Sequence, residues 1–466
     1  MSQNDVRIMA HQHFPSFLRQ KKEVDILDIW HRGEQKEVIY QPHDVTTEYT
    51  ELMEKAPTPW LSLIVTAVVQ NAELMGVRRA GSSDNMRCWE TWQRNRMDGK
   101  QAALYRASCA HGLAFGVGMP GVDPLTNAPM TVMSIVSARK MAAFYDDDGE
   151  DEFPRLAVRA EPLLGDMGLQ VGWTTRWVDE SAVHFLSCKH DGEELSDWTY
   201  ISYQLHGSAV TPVVRYGAQL DIDGRANSDI KPLIPLAARI DQDTFDRLIV
   251  QRFGAWKVRY IAGLARPSGA QDAQAQKMML RIEDLLIAED HDTKFGTLDA
   301  TDLAGFISAR DSDLRDMSAT SQTPPHHMLG LSSNLQAESL AAAEAGLQRK
   351  SRERRTSWGE SHESFFRLDA HLRGDIAEAT AFDMQVRWRD TESRSMEQAA
   401  LALGMLATNL KVPVEILWER IPGWTDADVE RAKNLVATGG IDTLLAELET
   451  QLKTNPPVPV PVPVGG

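Results

Sequence analysis

The sequence predicts an α+β fold, and three observations predict it. Apolar residues recur at helical three-and-four spacing through most of the first 120 or so residues, as in Trp60–Val69 and around Trp89, Trp92, Leu104 and Tyr105. From about 155 to 223 the pattern changes: LQVGWTTRW, AVHFLSCKH, DWTYISYQL and VTPVVRYGAQLDI alternate or cluster β-branched and aromatic residues between polar turns, which predicts an antiparallel sheet. Beyond residue 333, roughly 40 residues rich in Ala, Leu, Glu, Gln, Arg and Lys predict one helix about 60 Å long, far longer than an ordinary domain holds.

Composition narrows the class. At 466 residues the chain has room for about three domains, and 42% hydrophobic with 25% charged residues is the balance of a folded protein rather than a disordered one. The net charge of −17 speaks against gripping nucleic acid with the whole surface, because phosphate binding needs a cationic face. Cys88, Cys109 and Cys188 are odd in number, far apart and without metal-ligand spacing, which fits a reducing compartment. The N-terminus, MSQNDVRIMAHQHF, has no apolar signal core. WLSLIVTAVV at 60–69 is cut short by Gln70 and Asn71 and reads as a buried helix of a cytoplasmic protein, not a membrane span.

After the first helical part comes YDDDGEDEFP at 145–154, whose acids lack the ligand spacing of an EF-hand and read as a solvated turn. Beyond the β region and SDIKPLIPL, a helix is expected over 241–262, with Phe245, Leu248, Ile249, Phe253 and Trp256 along one side. Residues 263–302 mix polar linkers, the amphipathic MMLRIEDLLIAED and a strand-like TKFGTL, and a second helix is expected over 301–320. Two helices bracketing a compact insert describe an out-and-back arm, which Pro324 and Pro325 end. Ser333 with Gln336 fits a capping box and predicts a helix from Asn334 to about Gly374, despite penalties of ~1 kcal/mol at Gly346 and Gly359. Short helices follow in SMEQAALALGMLATNL, PVEILWERI and TDADVERAKNLVA, the last starting around Thr425 and Asp428. PPVPVPVPVGG reads as an exposed polyproline-like tail.

The motifs for chemistry are thin. GVGMPG at 116–121 satisfies G-x-G-x-x-G, but VDPLTNAPM follows where a dinucleotide site needs a helix, so a glycine-rich turn between strands is expected. The P-loop, H-E-x-x-H, C-x-x-C and G-x-S-x-G patterns are missing from the sequence. His326 and His327 are adjacent, so on regular structure they should diverge, which favours loop histidines over metal ligands. The basic run Arg349, Lys350, Arg352, Arg354 and Arg355 could touch phosphates, yet it wraps most of a helix circumference and has Glu344, Glu353 and Glu360 as pairing partners. No catalytic constellation emerges, and no cofactor or metal is expected. The residues describe an acidic, elongated α+β protein with a projecting arm, a structural part more than an enzyme.

Particular segments, in their order, resemble the portal proteins of long-tailed double-stranded DNA bacteriophages, especially those infecting actinobacteria. They are PWLSLIVTAVVQNAELMGVR, the run Trp89–Asp98 and HGLAFGVG; then TPVVRYGAQL, Ser228–Ile230 and PLIPLAARIDQDTFDRLIVQRFGAWKVRYIAGL; then TPPHHMLGLSSNLQAESLAAAEAGLQRK and LKVPVEILWERIPGWTDADVERA. Each is modest, but together they cover roughly residues 50–440. Phe115 stands where that family often has Tyr, and the Pro-Val tail lies outside the shared pattern.

The resemblance implies a portal fold of wing, stem, clip and crown: residues 1–235 and 335–392 as wing with its very long helix, 236–262 and 303–321 as the stem helices, 263–302 as clip, 322–334 as tunnel loop, 393–455 as crown and 456–466 as a disordered tail. It implies a ring of twelve copies at one capsid vertex of the virion, assembled in the host cytoplasm, through which DNA enters and leaves without sequence specificity. Its partners would be the terminase large subunit, the major capsid and scaffolding proteins and a head-completion adaptor, with no membrane involved. Implied DNA-facing residues are His326, His327, Ser332, Ser333, Asn334 and Gln336; Arg349, Lys350 and Arg352 would meet phosphates or neighbouring subunits; Lys277, Arg281 and Lys294 would face the motor. Twelve copies at −17 each would put about −200 formal charges on the ring, a field that discourages DNA from sticking. Two other classes remain as alternatives: a metal-dependent nucleic-acid-processing enzyme built on Asp146–Asp148, and a non-viral helical scaffold.

Overall fold

The computed structural model describes residues 2–35, 47–82, 85–165, 167–191, 194–195, 197–254, 259–262, 294–297, 302–330, 337–389, 396–421, 424 and 426–437. They form two compact units, residues 1–389 and 390–466.

The first unit opens on α1 (Gln3–Arg32), started by a capping box in which Ser2 and Asp5 exchange hydrogen bonds and stopped by Gly33 in the left-handed region at φ 73°. Helices α2 (Thr47–Lys55) and α3 (Trp60–Val69), strand β1 (Leu74–Arg79), and helices α4 (Arg87–Arg94) and α5 (Asp98–His111) follow. The β region comprises β2 (Leu113–Val122), β3 (Pro129–Ser137), β4 (Met141–Phe144), β5 (Leu156–Leu164), β6 (Gln170–Val178), β7 (Ala182–Asp191), β8 (Glu194–Leu195), β9 (Thr199–Leu205) and β10 (Val213–Gly217). A 3-10 turn at Lys231–Leu233 leads into α6 (Ile234–Gly254); β11 (Arg259–Ala262), β12 (Lys294–Thr297), α7 (Ala304–Ser321), α8 (Pro325–Leu329), the long α9 (Ala337–Leu372), α10 (Ile376–Ala379) and β13 (Met384–Trp388) complete the unit.

All strand pairings are antiparallel. One sheet runs β4-β5-β6-β7, with β8 and β9 both pairing with β7; a second runs β10-β2-β3; β1 pairs with β13 and β11 with β12. The strands foreseen at 155–223 are all present, and the α+β class with its antiparallel region is what the chain adopts. Helix α3 is buried along Leu61, Ile64, Val65 and Val68, and no described helix is long and apolar enough to cross a membrane.

The structure corrects several expectations. A strand, β1, already lies at Leu74–Arg79 within the part read as helical, the continuous β region begins at Leu113, some 40 residues before the expected sheet, and GVGMPG lies within β2 instead of forming a turn. Its glycines serve packing: a Cβ on Gly116 would stand 3.0 Å from the Tyr216 ring and 3.4 Å from that of Phe365 on α9. The first arm helix begins at Ile234, not 241, because Pro232 opens the 3-10 turn and Pro235 sits in the first helical turn, where the missing N–H costs nothing. It ends at Gly254, not 262; residues 259–262 instead pair with 294–297, where the strand-like TKFGTL was noted. The return helix, expected over 301–320, is Ala304–Ser321.

Two cores place the long helix and the sheet. On one side of α1, Val6, Met9, Ala10, Phe14 and Phe17 pack on Trp173, Trp177 and Trp198 of the larger sheet, Phe14 meeting Trp198 edge-on at 4.8 Å. The other core surrounds α9: Trp358, Phe365, Phe366 and Leu368 meet Trp92, Leu104, Tyr105 and Tyr216. Within it His362 is fully buried between two hydroxyls, Tyr105 Oη at 2.8 Å and Tyr216 Oη at 3.0 Å. Burial pushes its imidazole down to about 3, so it stays neutral and offers the one donor and one acceptor those tyrosines need.

The described residues of the second unit form α11 (Met396–Asn409), α12 (Val414–Trp418) and α13 (Asp426–Ala437), close to the three short helices expected there. It buries Ala399, Leu417 and Val429 but leaves Leu401, Met405, Leu410, Val414 and Ile416 exposed. The Pro-Val tail lies outside the described residues.

Candidate functional site

The two histidines and the basic run singled out in the sequence lie at the joint between α7, α8 and the first half of α9. Helix α7 ends with Gln322 in the left-handed region at φ 57°; Ser318 Oγ donates to Thr323 O at 2.6 Å, and Thr323 N donates to Ser318 O. Pro324 and Pro325 then open the single turn of α8, which Gly330 closes at φ 65°.

His326 and His327 occupy that turn. Both direct Nε2 at the same atom, Glu344 Oε1 on α9, at 3.0 and 3.1 Å, and their rings meet edge to face with centroids 4.5 Å apart. This overturns the expectation that adjacent histidines diverge. Successive residues on a helix are rotated by about 100°, but α8 is one turn long and lies close to α9, so two imidazoles can bend inward to one carboxylate. Glu344, expected to pair with the basic run, is engaged here instead. The three side chains are 15%, 32% and 26% exposed, so the cluster is sheltered but reachable from solvent.

The basic run does not act as one patch. Lys350 and Arg354 point inward and are buried, whereas Arg349 and Arg352 are exposed. Arg354 grips Asp229 with Nη2 to Oδ1 at 2.8 Å and Nε to Oδ2 at 3.4 Å. Lys350 donates to the carbonyl of Ser321, the last residue of α7, at 3.3 Å and approaches Asp229 Oδ2 at 3.8 Å. A cation over the carbonyl end of α7 complements that helix's dipole. Burial opposes the Arg354 charge, and Asp229 more than offsets it, leaving the guanidinium above its usual range. Asp229 also holds its own place: its N–H donates to Cys109 O at 2.9 Å, and the neighbouring Ser228 Oγ donates to Ala110 O at 2.7 Å while accepting from Ile230 N and Lys231 N. Sequence reading passed over Asp229. Its signal was the Ser-Asp-Ile tripeptide: an acid between buried neighbours needs a cation, and an inward-facing pair four residues apart on α9 supplies two.

Ser332, Ser333, Asn334 and Gln336 lie outside the described residues, as does the expected capping box; α9 is described from Ala337. Lys277 and Arg281 also lie outside them, and Lys294 opens β12. The acidic turn behaves as foreseen: Asp147 Oδ1 accepts from Gly149 N and Glu150 N, and Asp146 faces Arg155 at 3.4 Å. The three cysteines are buried and unpaired, and burial raises the thiols of Cys88 and Cys109 well above their ordinary range and that of Cys188 to about 11.

Comparison with known proteins complements this geometry. The family model described as phage portal protein, SPP1 Gp6-like, matches residues 13–436. The portal protein of Mycobacterium phage L5 is 22% identical over 363 residues, covering 74% of this chain and 71% of that protein. Among solved structures, a chain from the virion of a native gene transfer agent particle aligns with TM-score 0.41 at 9% identity, covering 83% of this chain and 94% of its own. A chain from the neck of the empty gene transfer agent particle, computed with C6 symmetry, aligns with TM-score 0.43 at 10% identity, covering 80% and 92%.

Proposed function

The chain belongs to the SPP1 Gp6-like family of phage portal proteins, and from that membership we propose that it assembles into a ring of identical subunits, twelve in number, at one vertex of a phage capsid. The portal role is structural. Double-stranded DNA passes through the ring on packaging and again on ejection, and the ring docks the terminase large subunit, then a head-completion adaptor, with the major capsid and scaffolding proteins around it. The observation that carries this reading is the reach of the family match, which spans residues 13–436 and so includes both units and everything between α6 and α7.

In this reading residues 236–262 and 303–321, which hold α6 and α7, are the stem, 263–302 the clip, 322–334 the tunnel loop, 1–235 and 335–392 the wing, and 393–455 the crown. The side-by-side course of α6 and α7, tied by Arg239 to Asp313 at 2.6 and 3.0 Å, supports the stem assignment. The inward turn of Lys350 and Arg354 supports a conduit in which DNA slides: two of the run's five cations neutralise a buried acid and are withdrawn from phosphates. Burial of the exposed apolar residues of α11 and α12 against neighbouring copies would account for their exposure in a single chain.

Electron microscopy of the purified full-length protein tests the reading. Rings with a central hole and twelvefold averages are expected. A protein that stays monomeric at high concentration, and yields no rings when coexpressed with its capsid and scaffolding proteins, contradicts it.

A further inference from the structure

We propose that His326, His327 and Glu344 form a three-ligand site for a divalent transition-metal cation, zinc first among them, that pins α8 to α9. Nothing in the portal role calls for such a site, and the argument rests on the three side chains alone.

Distances carry the first part. A tetrahedral ion with bonds of about 2.0–2.2 Å to nitrogen and oxygen sets its ligand atoms roughly 3.3 Å apart. Glu344 Oε1 lies 3.0 Å from His326 Nε2 and 3.1 Å from His327 Nε2, and all three atoms fall within 4.8 Å of one another. Small rotations of the two rings would bring the nitrogens to equal spacing about a common centre. This is the one group of three or more potential ligands that meets that criterion among the described residues.

Ligand chemistry selects the ion. Two imidazoles and one carboxylate suit zinc, cobalt or nickel, whereas calcium and magnesium take oxygen cages. The partial exposure of His327 leaves a side from which water can supply the fourth ligand, as at other sites with three protein ligands. The sequence obscured the set because its members come from two helices, separated by residues 328–343.

The consequence is a staple. His326 and His327 lie in α8 and Glu344 on α9, so a bound ion would tie the turn of α8 directly to the long helix and close the stretch of chain between residues 327 and 344 into a loop.

The test uses the full-length protein, freed of metal with a chelator and titrated with cobalt, whose visible absorption reports tetrahedral nitrogen and oxygen ligation, and then with zinc by calorimetry. One equivalent per chain is expected, with zinc displacing cobalt and raising the melting temperature by several degrees. His327→Ala and Glu344→Gln should each weaken binding by at least the 10–100-fold that loss of a mere supporting group costs elsewhere. The melting temperature of each metal-free variant shows that it folds, and either variant alone suffices for the comparison. Wild-type protein that binds neither ion, or variants that bind both with unchanged affinity, would overturn the proposal and leave the cluster as two histidines hydrogen-bonded to one carboxylate. Binding is read per chain in any oligomeric state, so this result and that of the ring experiment are independent.

Discussion

Asp229 and Asp241 are both buried carboxylates, and their surroundings give them opposite consequences. Asp229 faces two cations, so its removal leaves buried Arg354 only the exposed Glu353 at 3.2 Å and buried Lys350 only the Ser321 carbonyl among the described residues, whereas removing Arg354 leaves Asp229 with Lys350 at 3.8 Å. Asp229→Leu should therefore cost roughly 3–5 kcal/mol; Arg354→Met should cost less, and the double replacement less than the sum. Chemical denaturation of the three variants checks the order. Among the described residues Asp241 faces no cation. It accepts from Gln35 Nε2 at 2.6 Å and Thr58 N at 3.2 Å, but burial outweighs both and pushes its carboxyl up to about 6. Its folded pKa lies above the ordinary value near 4, so the native state holds the proton more tightly, and stability falls as pH rises from about 4 to about 6. Asp241→Asn keeps the Thr58 bond, and once the Gln35 side-chain amide turns over, the new NH2 donates to Gln35 Oε1. The variant should be more stable than the parent at pH 7.5, by up to roughly 3 kcal/mol, and should lose the decline between pH 4 and 6; melting curves across that range test both. Asp229 left at most the faint trace of its Ser-Asp-Ile context, and Asp241 left none, since a lone Asp carries no sign of what faces it.

At the scale of elements, periodicity revealed most of what it could. The strands from 156 to 217 follow from their alternating or clustered β-branched and aromatic residues, the bulk of α9 from its helix-forming composition, and α7 and the three helices of the second unit from the segments read as helical between turns. The failures have physical causes. Strand β2 reads weakly because Gly116 and Gly118 stand where α9 presses on the sheet, and glycine carries no hydropathy signal. That explanation has a consequence: Gly116→Val should cost about 1–3 kcal/mol by forcing Tyr216 and Phe365 aside. Gly118→Ala should be close to neutral, since a Cβ there meets Thr131, Leu368 and Leu372 at ordinary contact distances of 3.4–3.5 Å. Thermal melts of the pair decide it. The early start of α6 was hidden by Pro232 and Pro235, which sequence reading takes as breakers although a first turn accepts them. The histidine cluster needed both short α8 and long α9 in place before its geometry existed, so only the residue types could be read in advance.

For the whole molecule, the family was legible from the order of many modest segments, each weak alone. What the chain does in numbers was not, because a contact between copies leaves no periodic mark beyond exposed apolar side chains. Leu401 and Met405, four residues apart on α11 and about 60% exposed, are such a pair. Replacing both with Glu should shift the protein from rings toward smaller species in native mass spectra, while the melting of the first unit stays unchanged. A further consequence follows from the pairing of β1 with β13, in which Val77 lies opposite Val386. The body of the first unit is assembled from two stretches of chain with the whole arm inserted between them, and α9, which completes its core, comes only after the arm. A ribosome making this protein must therefore finish α7 before the tryptophans and tyrosines of α4, α5 and β10 can be covered. The nascent chain carries an open apolar face for more than two hundred residues of synthesis after β1 emerges, and that interval is when a chaperone, or an early encounter with another unfinished copy, has most influence on its fate.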